Sequence, residues 1–100
     1  MEDSVRNDLF KIIEKVHQKH PNGFMILIGM GKCSDVVNYL IDKGKIEERI
    51  RNDCYTYIAN YFYNRYAGGQ PLHIRDTWAE LLIERKRTYE FNNEVYPYLP

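Results

Sequence analysis

The 100-residue sequence lacks a charge bias: fourteen Lys and Arg stand against fourteen Asp and Glu, and the balance holds in each half of the chain. Neither a surface made for polyphosphates nor an acidic mimic of nucleic acid follows from such a composition. It also lacks a long apolar run of the kind that crosses a bilayer, and its first residues, MEDSVRNDLF, carry no basic-then-apolar leader pattern. Cysteine is scarce. Cys33 and Cys54 lie far apart without a CxxC pair, which reads as two reduced core thiols in a cytoplasmic protein. The length leaves no room for a cofactor-binding half beside a substrate half, so one domain over residues 1–100 is expected. Repeats and low-complexity segments are missing as well.

What the sequence has in quantity is tyrosine, nine residues of it, within a hydrophobic fraction of 44%. The longest uninterrupted stretch runs from Ile46 to Tyr66. Ile46, Ile50, Cys54, Tyr57, Ile58, Tyr61, Phe62 and Tyr66 recur at steps of three and four, which predicts a helix of about five turns around which the rest is arranged. On it Tyr57 and Tyr61 belong to the inward stripe, whereas Tyr55, Tyr63 and Tyr66 fall toward its margins.

The remaining elements follow from apolar spacing and punctuation. A first helix is predicted over residues 4–20, with Val5, Leu9, Ile12, Ile13 and Val16 inward, Phe10 widening the stripe and Asp3 or Ser4 as cap. His20-Pro21-Asn22-Gly23 ends it. Phe24 to Ile28 is the most apolar run and suits a short buried strand, whose partner would be the tail or a second copy of the chain. Gly29 to Lys32 then forms a flexible joint into a short helix that ends at Gly44. Ala67-Gly68-Gly69-Gln70-Pro71 closes the long helix. A last helix is predicted from Asp76 or Thr77 to Tyr89, with Thr77 and Glu80 at capping-box spacing and Trp78, Leu81 and Leu82 as anchors. The tail, with two prolines, is expected to be extended. The fold class that results is mainly α: a compact bundle of about four helices, one strand-like segment at 24–28 and an extended C-terminal tail.

The pattern Gly29-x-Gly31-x-x-Ser34 between an apolar run and an amphipathic helix resembles the first strand-turn-helix of dinucleotide- and sugar-phosphate-binding α/β folds, over about twenty residues. That resemblance implies a phosphate held by Gly29, Gly31, Lys32 and Ser34. Ser34 replaces the third glycine, however, and no further strands follow to build a sheet. The helix followed by Gly44-Lys45-Ile46 resembles the end of a recognition helix in winged-helix DNA-binding proteins. Asp35, Asp42, Glu47 and Glu48 crowd that site with the wrong charge. His17, His20, Cys33 and Cys54 lack the close pairing of a structural zinc site, and solvated histidines are expected. No nucleophile has a base placed beside it by the sequence.

The expectation left by these exclusions is a non-enzymatic module without metal or cofactor that binds another protein, as an inhibitor, immunity-type protein, adaptor or assembly factor. Tyrosine and arginine dominate binding hot spots because they bury large areas while keeping a polar tip to bond. The expected contact residues are Tyr55, Tyr63, Tyr66, Arg85, Arg87, Tyr96 and Tyr98. Nucleic-acid binding and phosphate-ligand binding are the alternatives, and a homodimer through residues 24–28 is open.

Overall fold

The computed structural model describes residues 1–20, 25–85 and 88–100. Among them are four α-helices: α1 (Asp3–Lys19), α2 (Ile26–Asp42), α3 (Arg51–Tyr66) and α4 (Leu72–Glu84). A 3-10 turn at Glu48–Ile50 precedes α3, and a π-helical turn (Phe91–Val95) runs into a second 3-10 turn (Tyr96–Tyr98). The described residues contain no strand.

The element at the centre is α2. It packs against α1, α3 and α4, and both turns of the tail also lie on it. Every residue from Gly29 to Val37 except Lys32 is buried. The long tyrosine-bearing helix is thus one wall of the structure rather than its axis. The strand expected at 24–28 and the joint expected at 29–32 are corrected together: residues 26–32 are the first turns of α2, and Phe24 lies outside the described residues. Glycine is a poor helix former, costing about 1 kcal/mol against alanine. Here burial overrides that preference, since Ile26, Met30, Cys33, Val37, Leu40 and Ile41 form one apolar stripe at helical spacing when 26–42 is read as a single element.

The C-terminal end of α2 follows its predicted stop. Gly44 has φ 72°, its amide donates to the Ile41 carbonyl at 3.0 Å, and the Lys45 amide donates to the Leu40 carbonyl at 2.8 Å. This is a Schellman closure, which needs the left-handed residue that glycine supplies. The closure drops Ile46 into the core, outside any helix.

α1 matches its predicted stripe: Leu9, Ile12, Ile13 and Val16 are buried. Three expectations there are corrected. Glu2 is the cap residue and no side chain caps the helix; Phe10 is exposed, edge-on to Tyr61; and His17 is buried rather than solvated. α4 begins at Leu72, immediately after Pro71, several residues before the predicted start. Thr77 is inside it, its hydroxyl donating to the His73 carbonyl at 2.9 Å, so the capping-box reading of Thr77 and Glu80 does not hold. The extended tail is also corrected: its turns bury Val95 and Tyr98 against α1 and α2.

Candidate functional site

α4 ends at Glu84, and the next residue, Arg85, turns extended (φ −68°, ψ 121°) and sends its side chain across α2. Its guanidinium lies over Gly31, donates to Ser34 Oγ at 3.4 Å and pairs with Asp35 Oδ2 at 3.5 Å. Asp35 is 1% exposed. A carboxylate at such depth is costly without a counter-charge, so Arg85 is held on α2 by the helix's own chemistry. Ser34 Oγ in turn donates to the Gly31 carbonyl at 2.9 Å.

On one side of Arg85 a groove of about 390 Å³ opens between α2 and α4, lined by Leu27, Ile28, Lys32, Leu81, Leu82 and Arg85. Leu82 is buried and forms the apolar floor, whereas Leu27 and Ile28 are each 50% exposed and Leu81 is 45% exposed. Met25, just before α2, is exposed too. Both charged residues lining the groove are cations.

On the other side of Arg85 lies a polar pocket of about 340 Å³, lined by Asn38, Asp42, Arg51, Tyr55, Ile83, Arg85 and Tyr89. Its polar groups satisfy one another. Arg51 donates to Glu48 at 2.6 and 3.1 Å, and to Asn38 Oδ1, which also accepts the Tyr55 hydroxyl. The hydrogen bond from Arg51 holds the Glu48 carboxyl below its usual range. The Tyr89 hydroxyl donates to Asp42, which pushes its pKa up to about 12. Burial pushes both cysteine thiols up, Cys54 to about 11, with Asp35 adding to the effect on Cys33 and Asp53 to that on Cys54.

The predicted contact residues do not form one surface. Tyr55 is 3% exposed and Tyr98 is 4% exposed, so neither ring can face a partner, and both expectations are corrected. Tyr55 is turned inward by its bond to Asn38, and Tyr98 by the packing of its turn against α1 and α2, with His20 Nε2 3.3 Å from its hydroxyl and Lys32 Nζ 5.9 Å from its ring centroid. Tyr63 is half-buried, edge-on to Trp78, its hydroxyl donating to the Gln70 carbonyl. Tyr66 is exposed but rests on His17 and Phe62. Tyr96 is 64% exposed and stands against Phe91. Arg87 lies outside the described residues. Arg85 alone of the predicted set reaches the α2–α4 groove, together with Lys32 from the phosphate alternative.

Gly29, Gly31 and Ser34 are buried inside α2, where backbone amides are committed to the helix ladder rather than open to a phosphate. Residues 43–47 form a turn, not the hairpin of a wing, and the middle of α2 is enclosed rather than presented to a groove of DNA. Among the described residues no group of three or more His, Cys, Asp and Glu could hold a metal ion, and no helix is long and apolar enough to cross a membrane. No family model, curated protein or solved structure matches the chain.

Leu81 and Asp35 are site residues that the sequence does not mark as a site, and Leu27 and Ile28 enter the sequence reading only through the homodimer alternative at 24–28. A signal for the latter two exists. With 26–42 read as one helix, its apolar stripe leaves Leu27 and Ile28 beside it, two aliphatic residues with no inward position to occupy.

Proposed function

We propose that this chain is a non-enzymatic protein-binding module, of the inhibitor, immunity, adaptor or assembly-factor kind, and that its contact surface is the α2–α4 groove. The observation that carries this reading is the half-exposure of Leu27, Ile28 and Leu81 around one groove. Single exposed leucines are ordinary on a protein surface and need no explanation. Three aliphatic side chains contributed by two neighbouring helices around a shared concavity are a different matter, because their joint desolvation by a partner is favourable at roughly 25 cal/mol per Å². Rings that sequence reasoning assigned to the contact, Tyr66 and Tyr96, stay outside this surface.

The test immobilises the intact chain and its Leu27→Ser and Leu81→Ser variants, after thermal melts confirm that all three fold. A protein retained in stoichiometric amount by the wild type and released by both variants supports the reading. Equal retention by all three, or retention by none, rejects this surface.

A further inference from the structure

Resting on the protein-binding reading, we infer that the groove receives an amphipathic helix of a partner protein that carries aliphatic anchors with carboxylates one turn away.

The argument begins with charge. The floor and walls of the groove are Leu27, Ile28, Leu81 and Leu82, and its charged rim consists of Lys32 and Arg85. The guanidinium of Arg85 is not free to swing away, because Ser34 and Asp35 hold it on α2. An occupant that buries its apolar side chains here brings its flanking residues against Lys32, whose charge no acidic residue lining the groove answers, and the tethered Arg85, so carboxylates are favoured there over ammonium groups.

The same rim argues against a second copy of the chain. In a two-fold contact the same patch meets itself, so Lys32 and Arg85 of one copy would approach Lys32 and Arg85 of the other. Glu80 and Glu84 are exposed on α4 but do not line the groove.

The backbone form of the occupant follows from what the site can pair with. The described residues offer no strand edge, so strand addition has no template. The groove is bounded by two helices, the geometry into which the side-chain ridge of a third helix packs, with anchors at i and i+3 or i+4. A groove of about 390 Å³ is at the small end of ligand-site volumes and suits one or two aliphatic anchors.

Two alanine-based helical peptides of equal length test this. Both carry leucines at i and i+4 on one face; one has glutamates beside them and the other lysines, and binding to the full chain is read by fluorescence anisotropy at low ionic strength. The acidic peptide should bind at least about tenfold more tightly than its basic twin. That preference should shrink in Lys32→Gln and reverse in Lys32→Glu, and binding should be lost in Leu81→Ser and Leu27→Ser, with the thermal midpoint of each variant confirming a folded chain. Equal affinity for both peptides, lost in the leucine variants, overturns the acidic partner and leaves the protein-binding reading standing. A dimer in sedimentation that Leu81→Ser dissociates, with neither peptide binding, overturns the inference in favour of self-association. If neither peptide binds a monomeric chain, the inference also falls, and the retention experiment above decides the broader reading independently.

Discussion

The guanidinium of Arg85 occupies the space that a side chain on Gly31 would fill: a Cβ there would stand 2.7 Å from the guanidinium carbon. Gly31 is therefore kept inside a helix for what lies above it. In the wild-type background Gly31→Ala should destabilise by about 1–2 kcal/mol, because it pushes the guanidinium away from buried Asp35. With Arg85→Ala already present, the same substitution should stabilise by roughly 0.8–1 kcal/mol, the ordinary gain of alanine over glycine in a helix. A double-mutant cycle by urea denaturation reads the reversal directly, and additivity would refute the contact.

Tyr98 and Tyr96 are two residues apart and should behave oppositely. Tyr98 is sealed against α1 and α2, so Tyr98→Ala should cost on the order of 3–5 kcal/mol, as for other buried rings. Tyr96→Ala should stay within about 0.5 kcal/mol, as exposed positions do. Paired denaturation curves check both, and a small effect at Tyr98 would mean that the tail is not part of the core.

Tyr55 separates ring from hydroxyl. Tyr55→Phe keeps the packing but removes the donor to Asn38 and the acceptor near Arg51, which should cost about 1 kcal/mol. Tyr55→Ala, which also empties a buried site, should cost several times as much. If the alanine variant melts with the wild type, the inward placement of this ring is wrong.

His17 makes stability depend on pH. Its ring is buried among Tyr61, Phe62 and Tyr66, and burial is the first cause that lowers its pKa below the ordinary 6.5, with the Arg65 charge second. Glu14, whose Oε1 lies 3.9 Å from His17 Nδ1 and also accepts the Tyr61 hydroxyl, opposes them without prevailing. Below about pH 6.5 the unfolded chain takes up the proton before the folded one does, so stability is full above that pH and falls as acid is added. Thermal midpoints measured from neutral pH down to about 5 should decline in the wild type and decline less in His17→Leu.

Much of the helical content was legible from spacing, but the centre of the molecule was not. α1 is found within a residue of its predicted ends, and the Gly44 stop is where turn chemistry puts it. Gly29 and Gly31 read locally as a joint that would divide α2 in two; the apolar stripe and the arginine above them are tertiary facts that local propensity does not contain. For α4, Pro71 reads as a terminator of what precedes it, although proline is equally suited to the start of a helix and stands directly before this one. The tyrosines mislead for a related reason. Their hydroxyls allow a ring to be buried wherever an acceptor such as Asn38 or Glu14 is in reach, so aromatic abundance alone does not mark a surface. For Arg85 the sequence gives no sign of the tether to Asp35, which lies fifty positions away.

The enclosure of α2 has a consequence for how the polypeptide acquires its shape. Part of its burial comes from Val95 and Tyr98, in turns that lie far from α2 along the sequence. Contacts of such separation must overcome loop-closure entropy before they repay it, so that side of α2 stays wet until the two turns dock. Docking of the turns and consolidation of the helices are therefore expected as one cooperative event.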